Sequence, residues 1–222
     1  KAMDFLFRPQ RKYTFLINGE RLNGQLKDTK VFLASWIINN DMFRILLDYL
    51  PDLKWVHSTK TGTEYVIDHR LGERDILLTN SKGMHSQRIA EFVMACIFEV
   101  SKHISEHIAL KQRIKWEELQ AIDLESKVVG ILGAGSIGTA IAKKAKALGM
   151  KTIGCNRTIE QNLYFDEILG HTQLSEMLKV SDFLVVCLPL TKETEGLIGK
   201  NELSLMKPSA YIINVARSEI IK

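Results

Sequence analysis

Residues Gly133, Ala134, Gly135, Ser136, Ile137 and Gly138 set three glycines in the spacing G-x-G-x-x-G. Glycine at the first position permits a tight turn. At the second it lets the backbone approach a ligand, and at the third it lets a helix pack closely on a strand. A helix starting there offers unpaired N–H groups and the positive end of its dipole to phosphate. The same glycines in an ordinary turn would bind nothing, so the flanking chain decides. An apolar run, 128–132, enters the motif. The stretch 137–148 leaves it with Ile137, Ile141, Ala142, Ala145 and Leu148 on one helical face, and a second apolar run follows at 152–155. This is the context of a β-α-β unit, and it assigns Gly133, Gly135, Ser136, Ile137 and Gly138 to dinucleotide binding. A P-loop is excluded, because no Gly-Lys-Ser/Thr follows.

Eighteen residues beyond Gly138, at the end of the second strand, stand Asn156, Arg157 and Thr158. A carboxylate there would accept hydrogen bonds from the ribose hydroxyls of NAD. Arg157 can instead pair with a 2′-phosphate, so the expected cofactor is NADP(H), with NAD the alternative through Asn156. None of the six histidines stands in a motif that gives it a catalytic role. His103-x-x-Glu106-His107 formally matches an inverted zinc-protease pattern, but a solvated helical edge explains it and no metal is expected. Cys96, Cys155 and Cys187 lie beside apolar residues in no paired spacing. They read as buried thiols of a reducing compartment, which implies the cytoplasm.

The elements that must position these residues alternate along the chain. Runs at 13–18, 31–35, 53–58 and 76–79 are strand-like, and 42–50 has helical spacing and stops at Pro51, which together read as a small α/β domain. A long helix is expected over 86–113, with Ser86 as its N-cap. Its broad apolar face (Ile89, Phe92, Val93, Ile97, Val100) needs a partner, either the next domain or another subunit. A helix at 174–180 and strands at 183–188 and 211–215 follow. Continuous apolar strands alternating with helices imply a parallel sheet covered on both faces. The net charge of +4 over 222 residues is spread out, which argues against nucleic acid as a partner. No apolar run approaches the roughly 18 residues of a membrane span, and the mixed segment 1–9 does not read as a signal peptide.

Several linked stretches carry a resemblance to a known family. The segment from Val128 to Thr158, the run Ser181-Asp182-Phe183-Leu184-Val185-Val186-Cys187-Leu188-Pro189, and Met206-Lys207-Pro208 through Asn214-Val215-Ala216-Arg217 resemble the D-isomer-specific 2-hydroxyacid dehydrogenases. So do Leu53 to Gly62 and Asn80 to Glu91. The resemblance implies two doubly wound parallel-sheet α/β domains: a flavodoxin-like substrate domain, of which 1–82 is part, and a Rossmann nucleotide domain, 83–222. It implies hydride transfer between a nicotinamide and a 2-oxo/2-hydroxy acid, and a homodimer. By motif position Arg217 resembles the catalytic arginine that holds the substrate carboxylate and polarises the carbonyl. Thr61 and Gly62 match the loop that receives that carboxylate, and Pro189, Thr194, Val215 and Ala216 match cofactor contacts. The chain departs from the pattern at Glu64, where the family often has Asp, at Ser218, where it has Gly, and at Lys222, where the signature closes on an acidic or amide residue. The family's catalytic Glu and His fall C-terminal to this region, so the chain is expected to be incomplete at that end. The same fold also serves non-catalytic, dinucleotide-sensing proteins such as the C-terminal-binding corepressors, which is the alternative reading.

Overall fold

The computed structural model describes residues 27–35 and 37–222, so the strand expected at 13–18 lies outside the described residues. The chain divides into two compact units, Lys1–Ser81 and Lys82–Lys222. In the first, strands β1 (Val31–Ala34), β2 (Trp55–Ser58) and β3 (Leu77–Asn80) lie side by side in that order, all parallel. Helix α1 (Asn40–Tyr49) starts where the side chain of Asn39 accepts the Met42 N–H at 2.8 Å, and it ends before Pro51. It buries Phe43 and Leu47 against Ala34, Leu53, Val56 and Val66. Helix α2 (Arg70–Glu73) is anchored by the buried carboxylate of Asp68, which accepts the N–H of Arg70 at 3.0 Å and its Nε at 2.8 Å.

The second unit carries β4 (Val128–Leu132), β5 (Lys151–Asn156), β6 (Glu167–Gly170), β7 (Phe183–Val186) and β8 (Tyr211–Asn214). Their order is β6-β5-β4-β7-β8, all parallel. Successive side chains of a strand point to opposite faces. Val129, Ile131, Phe183 and Val185 pack on one face against Val93 and Ile97 of α3 (Ser86–Ser101) and Ile141 and Ala145 of α5 (Ser136–Ala147). Leu132, Leu184 and Val186 pack on the other against Met177 and Leu178 of α6 (Leu174–Val180). All four residues of β7 are therefore buried, which is why its sequence is apolar without alternation. Each such large side chain contributes about 1.5–3 kcal/mol on burial.

The helix expected over 86–113 is two helices. α3 ends at Ser101, His103 takes a left-handed backbone (φ 50°, ψ 41°), and α4 runs over Ile104–Gln112. His103 is held there by a contact of Nδ1 with the Glu106 carboxylate at 2.9 Å and of Nε2 with the Gln120 carbonyl at 3.2 Å. Ser86 is not the N-cap. His85 occupies that position without a side-chain cap bond, and Ser86 lies buried in the first turn. Val93 and Ile97 of the α3 apolar face are covered within their own unit by α5 and the sheet, while Phe92 of the same face stays exposed. Strand β6 and helix α7 (Lys200–Leu205) have no counterpart in the sequence reading, since neither carries a long enough periodic run.

Candidate dinucleotide site

β4 leads into the glycine turn at the point where the chain order reverses, with β5 on one side of β4 and β7 on the other. Ligands of open parallel sheets bind at such a point, beyond the carboxyl ends of the strands. Gly133 has φ +104°, a conformation that favours glycine, and a Cβ there would stand 3.1 Å from the Cys187 carbonyl oxygen. Gly135 is the N-cap of α5 and makes no side-chain cap, and a Cβ built on it meets nothing within 4 Å. A Cβ on Gly138 would lie 2.0 Å from the Gly133 carbonyl oxygen. Open space over Gly135, an uncapped helix start at Ser136 and Ile137, and a turn tightened by Gly138 fit a pyrophosphate. Beneath the turn, the Cys187 thiol donates at 3.1 Å to the carbonyls of Leu132 and Gly133, and burial pushes its pKa up to about 12.

The remaining candidates of this unit gather at the same edge. Asn156 ends β5, and its Nδ2 donates to the Thr158 carbonyl at 3.1 Å. With Ala134, Thr158, Glu160, Asn162 and Ile168 it lines a cavity of about 70 Å³ beside the glycine turn. Asn162 ties the loop to α5 through the Thr139 hydroxyl at 2.9 Å. Arg157 is exposed. The carboxyl of Glu193 is held below its ordinary value by the Thr191 hydroxyl, its own backbone N–H and the charge of Arg157. Pro189 and Thr194 follow β7. The Thr194 hydroxyl donates to the Pro189 carbonyl at 2.6 Å and accepts the Thr191 N–H at 2.8 Å, so it fastens its own loop.

Val215, Ala216 and Arg217 follow β8. The Asn214 side chain accepts the Ala216 N–H at 2.9 Å and donates to the Arg217 carbonyl at 2.9 Å. The Arg217 guanidinium reaches the Ala216 carbonyl at 3.1 Å. Ser218, where the family has glycine, opens a 3-10 turn (Ser218–Ile220) and does not need a left-handed backbone. Lys222 pairs with Glu195 at 3.1 Å, and Ile221 bridges Ile198 as a parallel pair.

In the first unit, Thr61 and Gly62 follow β2. The Thr61 carbonyl accepts Asn80 Nδ2 at 2.6 Å, and the buried Ser58 hydroxyl lies within reach of the carbonyls of Lys60 (3.0 Å) and Gly62 (3.3 Å) and of Tyr65 Oη (2.7 Å). His57 contacts the hydroxyls of Thr79 and Ser81 through its two ring nitrogens at 2.8 and 3.2 Å, a role in the frame of the sheet. Read from the sequence, Ser58, Asn80 and Asn214 have no role, and Cys187 only that of a buried thiol. Their signal is only their place at or just beyond strand ends, which becomes informative once the partners are known.

The chain matches the model of the D-isomer specific 2-hydroxyacid dehydrogenase NAD binding domain over residues 94–222. It is 32% identical over 194 residues to a glyoxylate reductase of Thermococcus litoralis, covering 83% of this chain and 59% of that protein. The structure of a D-isomer specific 2-hydroxyacid dehydrogenase family protein from Aeromonas salmonicida superposes with a TM-score of 0.80 at 28% identity, over 89% of this chain and 62% of that one. An NADPH-dependent glyoxylate/hydroxypyruvate reductase from Sinorhizobium meliloti, solved with NADP and sulfate, gives 0.73 at 27% identity over 87% and 61%. The chain thus spans about three fifths of the length of these relatives. With the glycine turn at the switch point of a parallel sheet and a family match across that whole region, the chain belongs to the D-isomer specific 2-hydroxyacid dehydrogenase family.

Proposed function

We propose that this chain is part of an NADP(H)-preferring reductase of 2-oxo acids. Residues 83–222 form its nucleotide domain and 1–82 part of its substrate domain. The observation that carries the reading is the cradle formed by Gly133, Gly135 and Gly138 against the uncapped start of α5. When bound, the nicotinamide supplies the hydride. Gly135, Ser136, Ile137 and Gly138 hold the pyrophosphate through backbone N–H groups, while Pro189, Thr194, Val215 and Ala216 line its course along the strand ends. Asn156, Arg157 and Thr158 face the adenosine ribose, and Arg157 supplies the positive charge a 2′-phosphate needs. The NADP-bound Sinorhizobium relative supports that preference. Arg217 holds the substrate carboxylate and stabilises negative charge building on the carbonyl oxygen, and the loop of Thr61 and Gly62 receives the carboxylate.

A second copy of the chain is the proposed partner, giving a homodimer. Ile114 is 96% and Trp116 90% exposed, and Phe92 and Ile108 are exposed on α3 and α4, large apolar side chains of the kind that assembly covers. The free thiols Cys96, Cys155 and Cys187 support a cytoplasmic location. No helix among the described residues is long and apolar enough to cross a membrane.

Fluorescence titration with NADPH and NADH tests the cofactor reading. NADPH is expected to bind about 10-fold or more tighter, and Arg157→Ala to erase most of that difference, as loss of a charge-assisted pair requires. Equal affinities in the parent protein would remove the NADP preference. Binding of neither would remove the dinucleotide site.

A further inference from the structure

The turn that presents Arg217 is built on one side chain. The sheet holds the chain as far as Val215, whose N–H donates to the Val186 carbonyl at 3.1 Å. Beyond it Asn214 takes over. Its Oδ1 accepts the Ala216 N–H at 2.9 Å, an Asx turn in which a side chain stands in for a peptide unit. Its Nδ2 donates to the Arg217 carbonyl at 2.9 Å, which fixes the peptide plane following the arginine. Between these two bonds Arg217 keeps an extended backbone (φ −129°, ψ 144°) before the 3-10 turn begins. The pair of bonds needs one acceptor and one donor on a short stem. Aspartate offers only acceptors, serine a single atom, and glutamine sits one methylene further out.

We propose that Asn214 is a positioning residue for Arg217: by clamping the backbone on both sides of the arginine it aims the guanidinium at the substrate carboxylate and carbonyl. The proposal rests on the reading of Arg217 as the substrate-polarising arginine. The test is a double-mutant cycle in the full-length protein, with NADPH oxidation by glyoxylate as one readout and NADPH affinity as the other. Asn214→Ala is expected to lower kcat/KM by about 10- to 100-fold, as an ångström-scale misplacement does, and NADPH affinity by several-fold at most, because the same clamp also holds Ala216 beside the cofactor. In an Arg217→Ala background the same substitution should cost nothing further. If Asn214→Ala fails to fold, Asn214→Asp carries the same cycle, since it keeps the Asx turn and turns the bond to the Arg217 carbonyl into a repulsive contact between oxygens. Additive losses in the double variant, or a parallel loss of NADPH affinity, would mean a general structural role and overturn the proposal. A parent protein that binds NADPH but reduces no 2-oxo acid would instead remove the reading of Arg217, and this proposal with it.

Discussion

Cys187 shows how burial sets the behaviour of a single group. It follows β7 directly, and its thiol is committed to two carbonyls of the glycine turn. With its pKa pushed up to about 12 by burial, almost none of it is thiolate at neutral pH, and the thiolate is the reactive form. Cys96 on α3 is also raised, first by burial and then by Glu99, but it is less deeply enclosed than Cys187. An aromatic disulfide reagent at pH 8, followed by peptide mass mapping, should therefore label Cys96 well before Cys187. Cys187 should react far more slowly until denaturant is added. Labelling of Cys187 at the rate of Cys96 in the native protein would mean that the floor of the glycine turn opens readily.

At the scale of elements, the junction of β4 and α5 leaves no room at Gly138. The atom a Cβ would meet is the Gly133 carbonyl oxygen, which belongs to the backbone of the turn and cannot swing aside. Gly138→Ala should therefore destabilise the protein by about 2 kcal/mol or more and weaken NADPH binding by at least an order of magnitude. Denaturant unfolding and the same fluorescence titration measure both, and a variant of parental stability and affinity would show that the turn yields. This junction was legible in the sequence because three glycines and two apolar strands constrain each other, and so were the bounds of β4 and α6. The division between α3 and α4 was not. Ile104 and Ile108 continue a helical spacing past Ser101, while the break depends on His103 reaching Glu106 and Gln120, contacts that no periodicity records. Asn214 escaped for a related reason. An asparagine at a strand end is unremarkable until the turn it clamps is known.

At the scale of the molecule, both units hold carboxylates below their ordinary range. Asp68 is held down first by the hydrogen bond from Arg70. Asp166 is held down by Lys146 at 2.7 Å and by the Thr152 N–H at 2.8 Å. For Asp182, burial works the other way but is outweighed by the Val128 N–H at 2.8 Å and Lys207 at 2.9 Å. A carboxyl whose pKa is lower folded than unfolded stabilises the fold at any pH above the unfolded value, about 3.9 for Asp, and that stability fades as pH drops toward the folded value. Calorimetry should find Tm nearly flat for these groups from pH 7 to about 5 and falling below about 4, with a shallower fall in Asp166→Asn. A Tm unchanged down to pH 3 would show that these ion pairs contribute little.

The strand order of the second unit also governs how the protein comes to be made. β4 must wait for β7 before Val129 meets Phe183, and every neighbour in that sheet is reached by a crossover rather than a hairpin. Such non-local pairings cost loop-closure entropy before they return any contact, so the search for them is slow. The carbonyl of Cys187 that closes over Gly133 arrives with β7. The phosphate cradle is therefore completed late in folding: a dinucleotide can hold the finished unit together, but it has nothing to grip while a nascent chain is still assembling its sheet.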